Sequence, residues 1–439
     1  MRFQKDESSK RRSGEMNTIE KYERYVNISM VDKIQPVVIE KAQGATITDV
    51  EGKSYIDCFS GIAVVNAGHC NGKVIEAAKA QMDKLVHCCS YVYYAQPTAD
   101  LAEKLAQITP GRLQKTFFGN GGAEAIEGAL RLAKQFTGKT EFIALQTSFH
   151  GRSYATLSVT GVSARKRRGG PYMVGCTFLP APYCYRCFFE LEYPKCKLRC
   201  ARALEDILRF NTYENVAAFI AEPILGEGGI IAPPVDYFLE IEKILKRHEI
   251  LFVVDEVQTG FCRTGRMFGI EHYGVEPDMM AMAKGIADGF PLSAFIAREE
   301  VADSFKPGDH LSTFGGNPVS CAAGLANIEF LEKQKLADES LRKGELLKAQ
   351  FEHLRADHKL MGDIRGKGLM LGIELVRDDQ KTPANSEGNK IRDFCREMGL
   401  LIGLGGVYGN VLRIQPPLVI SDDQLEEVVK IFDLAINRI

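Results

Sequence analysis

From about residue 115 the chain alternates short apolar runs with longer stretches whose apolar residues recur every three or four positions. The short runs are Lys115 to Phe118, Phe142 to Gln146, Ala217 to Ala221, Leu251 to Val254, Met279 to Ala283 and Leu292 to Ala297. This alternation is the signature of strands and crossover helices building a mostly parallel sheet. Between the runs, Ala123 to Phe136 puts Ile126, Ala129, Leu130 and Ala133 on one stripe, which reads as a helix packed against that sheet. The last hundred residues change character. A long charged helical pattern from about Gly324 to Leu354 gives way to a glycine-punctuated stretch, Gly362 to Ile373, that reads as strand and turn. Val37 to Ala67, with Asp49-Val50-Glu51-Gly52-Lys53 as a hairpin turn between apolar runs, is expected to form a small sheet in the same region. The pattern thus predicts an α/β protein with a large domain over 69–325 and a small domain over 326–439, completed by part of residues 1–68.

Composition supports this division, because 439 residues and 48.7 kDa exceed what one hydrophobic core usually organises. Hydrophobic residues at 45% and charged residues at 26% belong to an ordinary globular protein rather than a disordered or fibrous one. The formal net charge of -2 arises from 55 basic and 57 acidic residues spread along the whole length, so no field of one sign points to nucleic acid. No apolar run approaches the roughly 18 residues that cross a bilayer. The first fifteen residues are polar and mixed in charge, and Met16 opens a second plausible start, so they read as a solvated tail. Twelve cysteines spread over a long chain without a secretory leader fit a reducing cytoplasm better than a disulfide framework.

Three motifs carry chemistry. Lys115 to Phe118 runs into Gly119-Asn120-Gly121-Gly122-Ala123-Glu124, so a helix begins where glycines leave backbone N–H groups uncovered, a natural cradle for an anion. A plain strand-to-helix turn explains the same residues. Phe252-Val253-Val254 ends in Asp255, an acid at the carboxyl end of a strand, where open parallel sheets bind ligands. A helix N-cap or a metal-binding carboxylate is the alternative reading of that residue. Met279-Met280-Ala281-Met282-Ala283 leads to Lys284, whose poor hydration favours the neutral amine that attacks an aldehyde. Most lysines at strand ends simply reach solvent, and that is the better reading of the lone motif. Taken together, a phosphate cradle, an acid for a ring nitrogen and an imine-forming lysine are the minimal parts for holding pyridoxal phosphate. A nucleotide-binding loop of the Walker type is excluded locally, since no Lys-Ser or Lys-Thr closes the glycine loop.

From about Val37 to the C-terminus the sequence resembles the class III aminotransferases of fold type I, the group containing ornithine, acetylornithine and 4-aminobutyrate aminotransferases. The most specific stretch is Asp255-Glu256-Val257-Gln258-Thr259-Gly260-Phe261, followed 29 positions after Asp255 by Lys284. The resemblance implies that Lys284 holds pyridoxal 5'-phosphate as a Schiff base and serves as general base, while Asp255 keeps the ring nitrogen protonated. It further implies that Gly122 and Ala123 bind the phosphate, Phe149 of Phe149-His150-Gly151-Arg152 stacks on the ring, Val257 presses on the other face and Gln258 sits near the ring hydroxyl. Thr313 would reach the phosphate from a neighbouring subunit, which implies a homodimer with shared sites; whether dimers pair further stays open. For the substrate, Arg413 resembles the arginine that grips an α-carboxylate, Glu227 the gate that masks it, and Arg152 the residue that binds a distal carboxylate. Surface ion pairs are the bland alternative for these three.

The implied reaction moves an amino group from an amino acid or ω-amino acid, of the 4-aminobutyrate or ornithine kind, to an oxoacid such as 2-oxoglutarate or pyruvate. One departure is an insertion, Pro182 to Arg202, carrying Cys184, Cys187, Cys196 and Cys200. Four thiols at this spacing are able to bind zinc. Free cysteines or a locally paired loop account for them as well, since the last two intervals do not match a standard finger. Some class III relatives with such an insertion resemble amino-acid racemases more than transaminases, so racemase or phospholyase chemistry on the same scaffold stays open, and a metal-binding interaction protein with a degenerate cofactor site is the rival from another class.

Overall fold

The computed structural model describes residues 16–27 and 34–439; the polar leader noted above lies outside them. Strands β1 (Ile39–Gln43), β2 (Thr46–Asp49) and β3 (Ser54–Cys58) open the chain. A run of seven follows: β4 (Leu113–Gly119), β5 (Glu141–Leu145), β6 (Cys176–Leu179), β7 (Val216–Ala221), β8 (Leu251–Asp255), β9 (Met279–Met282) and β10 (Ser293–Arg298). The last four are β11 (Met361–Lys367), β12 (Met370–Leu375), β13 (Leu400–Gly405) and β14 (Val411–Ile414).

The middle seven form one sheet in the order β4-β10-β9-β8-β7-β5-β6. Its neighbours from β6 through β5, β7 and β8 to β9 pair in parallel, and β10 runs against both β9 and β4. A parallel strand covered on both faces must be apolar throughout, and every residue of β5, β7, β8 and β9 is buried. That is why these runs stood out in the sequence. Strand β6 did not, because it lies at the sheet edge and only Leu179 of its four residues is fully buried. The helix Gly122–Thr137 buries Ile126, Ala129, Leu130 and Ala133 as the stripe predicts.

The other seven strands make a second sheet in the order β1-β2-β3-β13-β14-β12-β11. Strand β3 pairs in parallel with β13, Ile56 opposite Leu400, so the two ends of the chain share one sheet; β2 and β3 form the expected hairpin, and the strand-and-turn stretch is the antiparallel pair β11 and β12. The long charged pattern is corrected: it is two helices, Pro318–Lys333 and Leu336–Asp357, broken where Lys335 adopts φ +51°. No glycine or proline marks the break, and because both helices bury an apolar face the periodicity runs across it. The cysteine insertion contains one short 3₁₀ turn, Cys184–Arg186, and its last residues begin the helix Arg199–Asn211. Tyr183 and Arg186 of this segment bond the fully buried Glu374 of β12, and Lys381 Nζ donates to Tyr185 O at 2.7 Å, which ties the insertion to the second sheet. Among the described residues no helix is long and apolar enough to cross a membrane.

Candidate active site

Parallel strands deliver their carboxyl ends to one edge of the sheet, so residues far apart in sequence meet there. Asp255 ends β8, is buried, and accepts the Val257 N–H through Oδ1 at 3.0 Å. Its Oδ2 lies 2.7 Å from Nδ1 of His150, which follows β5 and is equally buried. A buried carboxylate needs such a partner, and with Asp255 ionised the imidazole donates its Nδ1–H. Glu222, the residue after β7, is buried alongside and accepts the N–H groups of Phe149 and Gly226, both at 2.9 Å. Burial, reinforced by the charge of Asp255, pushes Glu222 up to about 7 against the pull of His150 and these two donors.

Lys284 follows β9 by one residue and sits at φ +43° on the floor of the cleft. Burial of its ammonium group outweighs the attraction of Asp255 and Glu222 and pulls its pKa down to about 8. Opposite stands the helix Gly122–Thr137, whose N-cap, Gly121, has no side chain to cover the first turn. Glu124 turns back to accept the Asn120 N–H at 2.7 Å instead. Among the described residues the N–H groups of Gly122 and Ala123 meet no acceptor, and uncapped N–H groups at a helix start hold an anion. Val257 packs on this turn, 3.0 Å from the place a side chain on Gly122 would occupy. The cleft encloses about 770 Å³ and is lined by Gly122, Ala123, Phe149, Asp255, Val257, Gln258 and Lys284. Gln258 adds a buried Oε1 without a partner among the described residues. An anion cradle, a lysine with a depressed pKa, a buried acid and an unpartnered amide in one cleft fit the pyridoxal phosphate inferred from the motifs.

The cleft is also lined by Arg152, which is exposed, and Glu227, which is not. Arg413 on β14 lies behind Glu227 and does not line the cleft itself. Its Nη1 is 3.2 Å from Glu227 Oε2, its guanidinium stacks 5.2 Å from the Phe59 ring, and Gly405 lies close enough that an added Cβ would sit 3.2 Å from Nε. The second oxygen of Glu227, Oε1, is bonded by Arg165. Burial pushes the Glu227 carboxyl up, and Arg413 with Arg165 outweighs it, so the group stays below the ordinary carboxylate range. Ile62 and Val64 form part of the wall, projected by a left-handed run in which Ser60, Gly61, Ile62 and Ala63 all have φ between +52° and +70°. Left-handed backbone is strained for Ile62 in particular; Asp57 anchors the run by accepting the N–H groups of Phe59 and Ser60.

The sequence-predicted residues therefore converge, with two exceptions. Thr313 is exposed and lies outside the cleft of the single chain. Cys184, Cys187, Cys196 and Cys200 line a small cavity of their own. All four are free thiols, and among the described residues no group of three or more His, Cys, Asp or Glu side chains is arranged to hold a metal. His150, Glu222 and Arg165 escaped the sequence reading. His150 adjoined Phe149 inside a recognised motif and Glu222 followed a predicted strand, so position alone could have flagged them. Arg165 lies in the basic run Arg165-Lys166-Arg167-Arg168, which resembles a solvated surface.

Comparison with known proteins agrees with this geometry. The profile of the aminotransferase class-III family matches residues 28–436. The chain is 40% identical to the acetylornithine aminotransferase of Methanothermobacter thermautotrophicus, over 92% of this chain and 94% of that one. It is 38% identical to the leucine/methionine racemase of Thermococcus litoralis, over 93% and 92% of the two chains. The PLP-bound crystal structure of an amine transaminase from an uncultivated Pseudomonas species superposes with a TM-score of 0.89 at 32% identity, covering 94% of this chain and 98% of that one. The chain belongs to the class III aminotransferases, pyridoxal-phosphate enzymes of fold type I.

Proposed function

We propose that Lys284 holds pyridoxal phosphate through its ε-nitrogen while Asp255, supported by His150, keeps the ring nitrogen protonated. The observation that carries this reading is the pairing of a lysine of depressed pKa with a buried Asp–His couple at neighbouring strand ends. Gly122 and Ala123 would take the phosphate, Phe149 and Val257 the two ring faces, and Gln258 the ring hydroxyl. When bound, the cofactor supplies an electron sink for the pair released as the C–H bond beside the substrate nitrogen breaks. Lys284 Nζ takes that proton from the amine-bearing carbon, a task suited to an amine neutral near pH 8. Phe149 and Val257 hold the reacting plane, and the apolar wall of Ile62 and Val64 keeps water from it.

The donor we infer is an ω-amino acid of the 4-aminobutyrate or ornithine kind, its distal carboxylate held by Arg152. The acceptor is an oxoacid such as 2-oxoglutarate or pyruvate, its α-carboxylate held by Arg413 once Glu227 withdraws. Thr313 of the partner subunit would complete the phosphate site of a homodimer. Exposed Val92, Tyr93, Tyr94, Leu311 and Phe314 support a subunit contact beside it, and Asn317 Nδ2, donating to Val86 O at 2.9 Å, joins the two segments that carry them. We further propose the division into a large domain over 69–325 and a small domain over 326–439 with part of 1–68. A cytoplasmic protein without nucleic-acid or membrane partners is the accompanying reading. Borohydride reduction followed by peptide mapping tests the anchor, and a label on any residue but Lys284 overturns it. The likeness to a racemase keeps one rival alive. Incubation with an amino donor and no oxoacid separates the two, since a transaminase stops after one turnover and a racemase continues.

A further inference from the structure

Glu227 is gripped from two sides, and the two arginines are not equivalent. Arg413 is 6% exposed, stacked on Phe59 and packed against Gly405, so it has nowhere else to go. Arg165 is 31% exposed and stands on the short 3₁₀ turn Ser163–Lys166. The turn that carries Glu227 is itself held, because Arg365 donates to Gly229 O through Nε at 3.0 Å and Nη2 at 2.7 Å. Any withdrawal of Glu227 from Arg413 is therefore a side-chain movement on a fixed backbone. A partly buried carboxylate that left its only cation would be stranded without a partner. Here it would not be, because Oε1 already belongs to Arg165.

We propose that Arg165 is the retaining partner of Glu227: it keeps Oε1 while a substrate carboxylate takes Arg413, and so sets how readily the site switches between amines and oxoacids. This rests on the gate reading of Glu227 and Arg413 above. With Glu227 on both arginines, Arg413 is covered; with Glu227 on Arg165 alone, Arg413 is open. The contact with Arg165 carries the whole carboxylate charge only in the open state, so Arg165 stabilises that state more than the covered one. The apparent affinity for a carboxylate scales with the fraction of molecules in which Arg413 is open. Arg165 is thus a positioning residue that need not touch the substrate.

2-Oxoglutarate has no amine and binds the cofactor-loaded enzyme without reacting, which makes it a probe independent of turnover. Calorimetric titration of wild type, Arg165→Gln, Arg165→Lys, Glu227→Ala and the Arg165→Gln/Glu227→Ala double variant tests the assignment. Loss of a charge-assisted partner should weaken 2-oxoglutarate about tenfold in Arg165→Gln, with most of the affinity restored in Arg165→Lys. In the absence of Glu227 the same Arg165→Gln change should have no further effect. An equal loss in the Glu227→Ala background would mean that Arg165 contacts the substrate directly, and unchanged or tighter binding in Arg165→Gln would mean that it does not hold the gate; either overturns the proposal. Failure of the underlying gate reading looks different: Glu227→Ala would then leave 2-oxoglutarate affinity where it is, instead of tightening it.

Discussion

The two ends of the cleft are built by different rules. At the cofactor end Gly122, Asp255 and Lys284 lie at or just beyond the ends of β4, β8 and β9 in a single sheet. At the carboxylate end Arg413 comes from the second sheet, Glu227 from a turn after β7, and Arg165 from a 3₁₀ turn. In the first set Asp255 is buried and Gly122 and Lys284 are half-buried, each placed by backbone at a strand end, whereas the second is a chain of charges graded from buried Arg413 to exposed Arg152. Chemistry common to all substrates needs the first kind of construction. Discrimination between substrates needs the second, because a group that must move has to have somewhere to go.

The contrast predicts that damage at the cofactor end falls on every substrate alike. Lys284→Ala should lower transamination by about 10⁴-fold with any donor, the upper range for loss of a positioned acid–base group, in single-turnover assays of purified protein. Damage to the buried cluster that ties the cysteine insertion to the second sheet should appear as instability. Glu374 is fully buried against Arg365 Nη1 at 2.7 Å, with Arg186 and Tyr183 also upon it. Glu374→Ala leaves these groups unpaired and should cost about 3–5 kcal/mol in denaturant unfolding, the usual penalty for breaking a buried ion pair.

At the carboxylate end the effect should depend on the substrate. Arg413→Lys loses a planar, two-pronged grip and should reduce kcat/KM for 2-oxoglutarate by about 10- to 100-fold, with a smaller loss for an amine whose reacting carbon bears no carboxylate. An equal loss for both would erase the distinction between the ends. A pH profile sharpens it from the other side. With a Lys284 pKa of about 8, some quarter of the apo-enzyme carries a neutral amine at pH 7.5, against about one part in a thousand for an ordinary lysine. The rate of cofactor uptake should therefore rise with pH and level off above about 8; a continued rise toward 10.5 would contradict the burial of Lys284. The smallest effect belongs to Arg152→Ala, whose exposed side chain should contribute no more than about tenfold in KM, confined to donors with a distal carboxylate.

What could be read from the residues alone follows the same division. The buried strands, the helix at Gly122, the β2–β3 hairpin and the cofactor-end residues were legible because each depends on neighbours in sequence: an apolar run, a glycine pair, an acid or a lysine at a run's end. Parallel pairing then brings those ends together without further instruction. The break at Lys335, the edge strand β6 and the left-handed turn at Ser60–Ala63 were not legible, since packing rather than local propensity decides them. Nor were the couplings that complete the site. His150 reaches Asp255 across 105 positions, Arg413 reaches Glu227 across 186 and Tyr183 reaches Glu374 across 191. A charge in a sequence carries no sign of which opposite charge it will meet. Only a folded chain, in which burial makes an unpaired charge untenable, selects the partner.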